Sequence, residues 1–114
     1  MDYQSITAKI LIEIKAINFN FDYPYTLTSG RKSPVYVDCR KIISFPKERN
    51  QIISFAENYF KKNKIDFDLL AGGETAGIPY AAFLAERLNK PMIYVRKKAK
   101  GFGKRSQIEG DFQN

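Results

Sequence analysis

Residues 68–95, DLLAGGETAGIPYAAFLAERLNKPMIYV, hold the pattern that most restricts what this chain can fold into. DLLAG at 68–72 is a short apolar run typical of a buried strand, and GGETAG at 72–77 is a glycine-rich turn. Apolar residues recur at helical spacing over 78–88, and Pro91 then precedes the apolar stretch MIYV. Strand, turn, helix and strand in this order predict a βαβ unit with two parallel strands. The sequence therefore predicts an α/β fold.

The remaining elements follow from apolar periodicity and from the placement of proline and glycine. In chain order, we expect a helix over 5–17 with Ser5 as its N-cap, strands over 25–28 and 35–38 around the turn SGRKS, and a helix that Pro46 opens. Residues 107–112 offer at most a third strand. Because a parallel sheet normally contains several strands covered on both faces, the chain resembles an α/β domain cut short. We expect one domain over residues 1–114.

Cysteine and histidine usage limits the chemistry that the chain can perform. The single cysteine, Cys39, has no partner for a disulfide, and the chain has no histidine. Without the commonest general base near neutral pH, any reaction must rely on positioning, charge and carboxylates. No apolar run approaches the roughly 20 residues that cross a bilayer, and the N-terminus lacks the order of a signal peptide. With 44% hydrophobic residues, we expect a globular cytoplasmic protein.

A basic run, YVRKKAKGFGKRSQ at 94–107, carries nearly all of the excess charge. Six residues between Arg96 and Arg105 are basic, and the whole chain has 19 basic and 12 acidic residues, a net charge of +7. Such a run can be a solvated loop, a nucleic-acid contact, or a glycine-hinged lid that carries cations to a phosphate. Its start at the end of the strand MIYV, beside GGETAG, favours the lid, because α/β sheets bind ligands at that edge.

Two further motifs have both a structural and a functional interpretation. GGETAG joins a strand to a helix start, where backbone N–H groups favour anions, yet a tight βα turn also needs glycine for steric reasons alone. It is neither GxGxxG nor the lysine-bearing phosphate loop. LTSGRKSPVYVD at 27–38 is either a plain hairpin with a basic turn or a strand edge that contacts a flat ligand, with Tyr36 available for stacking.

Taken together, the motifs resemble orotate phosphoribosyltransferase, a type I phosphoribosyltransferase of pyrimidine synthesis. The matching stretches are LTSGRKSPVYVDCRKIISFP, DLLAGGETAGIPYAAFLAERLNKPMIYVRKKAKGFG and QIEG. The resemblance implies an incomplete type I phosphoribosyltransferase fold, with a parallel sheet flanked by helices, an N-terminal helix and a hood hairpin. It divides the chain into helix and hood (1–45), a second helix with the βαβ core (46–95) and a mobile basic loop (96–110).

The resemblance also implies a reaction, a metal and partners. Orotate and phosphoribosyl diphosphate would give orotidine monophosphate and diphosphate, with Mg²⁺ held through the substrate's diphosphate and by no protein ligand. The family is dimeric, and the basic loop of one subunit covers the active site of the other. Neither nucleic acid nor a membrane is implied as a partner. Another phosphoribosyltransferase of this fold, or a non-catalytic basic module that binds nucleic acid or a protein, stays as an alternative.

Site residues follow from the resemblance position by position. It implies that Lys97 and Lys100 are catalytic, that the diphosphate and phosphoribosyl group are bound by Arg96, Lys97, Lys100, Thr75, Ala76 and Phe102, and that orotate is bound by Thr28, Tyr36 and Val37. Phe102 stands where many members have histidine, and Thr28 and Ala76 stand where some have lysine. The family's ribose-phosphate segment, an apolar strand with two acidic residues and a Thr/Gly-rich turn, has no match here. We therefore expect these 114 residues to be inactive alone.

Overall fold

The computed structural model describes residues 2–99 and 107–113. The chain divides into two compact units, Met1–Ile52 and Ile53–Asn114. The elements, in chain order, are α1 (Tyr3–Glu13), β1 (Ile17–Phe19), β2 (Tyr25–Thr26), β3 (Lys32–Ser33), β4 (Val35–Val37), a 3₁₀ helix (Cys39–Ser44), α2 (Pro46–Lys62), β5 (Leu70–Gly73), α3 (Gly77–Leu88), β6 (Met92–Val95) and β7 (Ile108–Glu109). Nowhere in the described ranges is a helix both long and apolar enough to span a bilayer.

The first helix begins and ends earlier than its periodicity predicted. Asp2 caps it, because its Oδ1 accepts a hydrogen bond from the Ser5 backbone N–H at 3.1 Å. The prediction of Ser5 as N-cap is therefore wrong, and the Ser5 hydroxyl instead donates to Asp2 Oδ2 at 2.6 Å. The helix ends at Glu13, and Lys15 takes a φ of 60° that turns the chain away. Ile17, predicted to be helical, consequently belongs to β1.

The hood consists of two antiparallel pairs, where the sequence predicted one hairpin. β2 pairs with β3, with Tyr25 opposite Ser33, whereas β4 pairs with β1, with Val37 opposite Ile17. The predicted pairing of 25–28 with 35–38 is thus wrong. The observed pairing of β2 with β3 arises because the turn between them is tight. In this turn Gly30 has a φ of 87°, and its N–H donates to the Leu27 carbonyl at 2.9 Å. The chain has already reversed at β3, which leaves β4 for another strand.

Residues after the hood confirm the helix that Pro46 was predicted to open. Asp38 first caps the 3₁₀ helix by accepting a hydrogen bond from the Arg40 backbone N–H. α2 then begins at Pro46, where a missing N–H does not disturb the first turn, and runs to Lys62. Its buried side chains are Ile53 and Phe55.

In the second unit, the βαβ prediction is confirmed. β5 and β6 run parallel, with Leu70 opposite Met92 and Gly73 opposite Val95, and α3 connects them. Strand and helix approach so closely that a Cβ on Gly72 would lie 2.9 Å from the Gly77 carbonyl oxygen. The buried side chains of this unit are Ile53, Phe55, Ala81, Ala85 and Ile93.

The sheet of the second unit is mixed, with the strand order β5-β6-β7. The third strand expected within 107–112 is present as β7, but it pairs antiparallel with β6, with Val95 opposite Ile108, and so does not extend the parallel part of the sheet. A parallel strand needs a crossover that returns the chain to the opposite end of the sheet, whereas β7 starts beside the end of β6. Gly110 closes the pair with a φ of 109°, where an added Cβ would lie 3.0 Å from Ile93.

Candidate functional site

The turn after β5 and the residues after β6 meet at one edge of the sheet. Because β5 and β6 are parallel, their carboxyl ends lie side by side. The Glu74 backbone N–H donates to the Val95 carbonyl at 2.9 Å, and the Lys97 backbone N–H donates to the Glu74 side chain at 3.0 Å. We call residues 74–76 and 96–98 the carboxyl-edge site.

The turn half of this site presents backbone groups at the start of a helix. α3 begins at Gly77, and no side chain caps that end. Thr75 and Ala76 are both exposed, and the Glu74–Thr75 peptide bond is cis. Uncapped N–H groups and the positive end of the helix dipole favour a negatively charged ligand. The turn therefore has the character of an anion site, although it contains no cationic side chain.

Cations come from the strand half of the site, and they differ in exposure. Lys97 and Lys98 are exposed. Arg96 is held more closely, because its Nη1 lies 3.6 Å from Glu109 Oε2 and the two side chains are 35% and 23% exposed. The backbone N–H of Arg96 also donates to the Gln107 carbonyl at 2.7 Å. Among the described residues, no carboxylate forms an ion pair with the Lys97 ammonium group, whereas the Arg96 guanidinium already faces one.

The hood holds Tyr36 through both its ring and its hydroxyl. The ring lies 5.8 Å from the Tyr25 ring, tilted by 39°, and the hydroxyl accepts a hydrogen bond from Arg40 Nη2 at 3.2 Å. The exposed fractions of Tyr36 and Val37 are 37% and 44%, so both stand at the surface of the unit. Thr28 is exposed in the turn that follows β2.

Arg40 is itself fixed by Asp38, whose Oδ1 accepts from Arg40 Nε at 2.9 Å. The hydrogen bond and the charge of the guanidinium lower the pKa of the Asp38 carboxyl below its usual value, and the carboxylate raises the pKa of Arg40. Tyr36 therefore sits beside a cation whose position a second residue determines.

The predicted site residues fall into three groups. Thr75, Ala76, Arg96 and Lys97 come together at the carboxyl edge of the second unit. Thr28, Tyr36 and Val37 belong to the hood of the first unit. Lys100 and Phe102 lie outside the described residues, and their roles stay predictions.

Sequence reasoning missed several residues that contact these positions. They are Arg40 in the hood and Glu74, Gln107 and Glu109 at the carboxyl edge. For Glu109, the sequence did contain a signal, because this carboxylate lies in QIEG, directly after the basic run. For Glu74 and Arg40, only the folded geometry shows which neighbour each one contacts. Within the described ranges, no three or more carboxylate, cysteine or histidine side chains form a cage for a metal ion.

Comparison with known proteins gives consistent matches. The chain is 59% identical over 107 residues to the orotate phosphoribosyltransferase of Rhizobium rhizogenes, which covers 92% of this chain and 46% of the relative. The orotate phosphoribosyltransferase of Agrobacterium fabrum is 59% identical over 111 residues, with the same two shares of 92% and 46%. The chain thus spans about half the length of the curated relatives that it matches. No protein-family model matches it.

Solved structures extend the likeness to the fold. The orotate phosphoribosyltransferase of Aeropyrum pernix superposes with a TM-score of 0.75 at 35% identity, over 91% of this chain and 57% of that one. The UMP synthase of Leishmania donovani gives a TM-score of 0.72 at 30% identity, over 97% and 23%. An adenine phosphoribosyl transferase of Trypanosoma brucei, 16% identical with a TM-score of 0.58, shares the fold alone. These likenesses confirm a partial type I phosphoribosyltransferase fold, and over about half of their length the chain matches orotate phosphoribosyltransferases.

Proposed function

We propose that a protein carrying this chain transfers the phosphoribosyl group of phosphoribosyl diphosphate to orotate, giving orotidine monophosphate and diphosphate in pyrimidine synthesis. The observation that carries this proposal is the 59% identity, over 92% of the chain, to a protein named for that activity. The geometry supports it, since an uncapped helix start and an exposed lysine share one edge of the sheet.

The carboxyl-edge site supplies the diphosphate half of the proposed reaction. Displacing diphosphate builds negative charge on the leaving group, which cations and backbone N–H groups stabilise. We assign Thr75 and Ala76 to backbone contacts, Arg96 and Lys97 to charge, and Lys100 and Phe102 to the same ligand from beyond the described residues. Lys97 is the strongest of the described candidates, because it is exposed and its ammonium group forms no ion pair with a carboxylate of the described ranges.

The hood supplies the orotate half. We assign Tyr36 and Val37 to the pyrimidine, with Thr28 near it, because β4 presents both residues at the surface. The guanidinium that donates to the Tyr36 hydroxyl keeps that ring in one orientation. No histidine is required, since the orotate ring nitrogen is itself the nucleophile in this proposal.

Magnesium enters the proposal with the substrate and not as a resident ion. We place the metal on the diphosphate oxygens, because Mg²⁺ prefers oxygen ligands of this kind. When bound, Mg²⁺ would neutralise charge on the leaving diphosphate. We further propose a cytoplasmic homodimer in which the basic loop of one subunit acts at the site of the other.

Calorimetric titration of the chain tests the two proposed binding surfaces, the carboxyl-edge site and the hood, each with its own ligand. Magnesium diphosphate and orotate are each expected to bind, whereas adenine is not. Lys97→Ala is expected to weaken diphosphate binding about tenfold, while Lys9→Ala, the same change on the exposed face of α1, leaves it unaltered. Because the chain spans about half the length of its relatives, we expect binding without turnover.

Two results would contradict the proposal. Equal losses in Lys97→Ala and Lys9→Ala would show that diphosphate binds by overall charge. Salt-dependent binding of a short RNA that phosphoribosyl diphosphate does not displace would favour a nucleic-acid module.

A further inference from the structure

The backbone between Arg96 and Lys97, here called the neck, is held by side chains from two directions. From the turn after β5, Glu74 Oε1 accepts a hydrogen bond from the Lys97 backbone N–H at 3.0 Å. From the segment before β7, Gln107 Nε2 donates to the Arg96 carbonyl at 3.1 Å and to the Lys97 carbonyl at 3.4 Å. The side chains of Glu74 and Gln107 thus hold the backbone just after the end of β6.

Glu74 stands where a carboxylate is unfavourable for the proposed ligand. It belongs to the turn that is proposed to receive diphosphate, and its negative charge repels such an anion. Its hydrogen bond to the neck offsets this disadvantage, because a bond from a backbone N–H to a carboxylate is stronger than one to a neutral acceptor. The carboxylate of Glu74 therefore has a structural benefit for an anion site, because it orders the backbone of the neighbouring cationic residue Lys97.

We propose that Glu74 and Gln107 are positioning residues, which fix the neck and thereby place the Lys97 side chain against the turn at 74–76. Neither side chain contacts the ligand in this scheme, and both act through the backbone. The proposal rests on the proposed function, because it assumes that the ligand at the carboxyl-edge site is a diphosphate.

Three variants of the chain separate the hydrogen bond of Glu74 from its charge. Glu74→Gln keeps an acceptor oxygen and removes the charge, whereas Glu74→Ala removes both. Glu86→Ala removes a carboxylate from an exposed position of α3, far along the sequence from the neck. Backbone hydrogen exchange by NMR reports on the neck directly. In Glu74→Ala, exchange of the Lys97 N–H is expected to accelerate about tenfold, while the Arg96 N–H, which donates to a backbone carbonyl, keeps its rate.

Titration with magnesium diphosphate then tests positioning. Glu74→Ala is expected to bind about five- to tenfold more weakly than Glu74→Gln, and these two variants carry the same charge. Glu74→Gln is expected to bind at least as tightly as the unchanged chain, because repulsion is removed and the hydrogen bond kept. Equal binding by the two Glu74 variants overturns the positioning role. Weak binding by both, with Glu86→Ala normal, overturns it too, because the carboxylate charge would then be what matters.

Gln107→Ala gives a second route if Glu74→Ala fails to fold. It is expected to weaken diphosphate binding several-fold without accelerating exchange of the Lys97 N–H, whose acceptor is Glu74. Unchanged binding in Gln107→Ala contradicts a role for Gln107. If the unchanged chain does not bind diphosphate at all, the proposed function of the site is wrong. If the unchanged chain binds diphosphate but the variants bind it equally well, only the positioning proposal is wrong.

Discussion

The guanidinium of Arg96 lies 3.6 Å from the carboxylate of Glu109, measured from Nη1 to Oε2. Arg96 directly follows the last residue of β6, and Glu109 lies in β7 opposite Tyr94, with side chains that are 35% and 23% exposed. This pairing makes Arg96 a different kind of cation from Lys97. Arg96 helps to hold β7 against β6, and its charge is partly neutralised before any ligand arrives.

Glu109→Gln is expected to have opposite effects on stability and on anion binding. The free energy of unfolding falls by about 1 kcal/mol, because the guanidinium loses its counter-charge. Diphosphate affinity rises several-fold, because the charge of Arg96 is no longer offset. Urea unfolding and calorimetric titration measure the two effects, with the exposed Asp111→Asn as the control for one lost charge. A fall in diphosphate affinity would show that Glu109 supports the ligand and does not compete with it.

Gly72→Ala is expected to destabilise the second unit by about 2 kcal/mol, a usual size for an overpacked site. The new Cβ would stand 2.9 Å from both the Gly77 carbonyl oxygen and the Ile78 Cα, and neither backbone atom can move independently of α3. Gly73→Ala is the matched control, since a Cβ there meets nothing within 4 Å. Urea unfolding of both variants measures the difference. Similar losses at both positions would contradict a steric role specific to Gly72.

Asp38→Asn is expected to destabilise the hood only where the carboxyl is ionised. Arg40 holds the pKa of Asp38 below its ordinary 3.8, so the ion pair contributes in full above that value and is lost as the pH falls through the lowered pKa. The urea midpoint of the variant should therefore lie below that of the unchanged chain at neutral pH. The two midpoints should converge in acid. A difference that persists in strong acid would mean that the carboxyl acts by shape and not by charge.

Lys100→Ala, in a full-length enzyme carrying this sequence, is expected to reduce turnover about 100-fold, with little change in the free energy of unfolding. Its proposed role is to stabilise charge that develops only in the transition state. Lys62→Ala, at the exposed end of α2, is the matched control and is expected to retain turnover, because the resemblance gives Lys62 no ligand role. Steady-state kinetics and thermal unfolding provide the two readouts. Parallel loss of folding and activity in Lys100→Ala would exclude the catalytic role.

Local patterns predicted the second unit better than the first. The βαβ unit was confirmed because the apolar runs at 70–73 and 92–95 and the helical spacing between them all agree. The hood was only partly predicted, because the short strand over Ile17–Phe19 continues the apolar periodicity of α1. Nothing local in the sequence states that β4 pairs with this strand and not with β2.

For the candidate site, too, the sequence predicted one part and not the other: it predicted the location but not the contacts between side chains. Strand ends and a glycine turn predicted that 74–76 and 96–98 would meet, since parallel strands align their carboxyl ends. The partners within the site were not predictable, because they join residues distant in sequence. The hydrogen bond from Lys97 to Glu74 depends on strand register, and the pairing of Arg96 with Glu109 depends on β7 being antiparallel.

The hydrogen bond of 2.7 Å from the Arg96 N–H to the Gln107 carbonyl brings both ends of residues 97–106 to one point of the sheet. A segment whose ends are pinned together can change in length and composition while the strands on either side keep their register, since the entropy of closing a loop grows slowly with its length. Apart from Lys97 and Lys100, changes within this segment are therefore expected to leave the pairing of β6 with β7 intact. The strands thereby provide a fixed base on which the composition of the segment can change independently of the sheet.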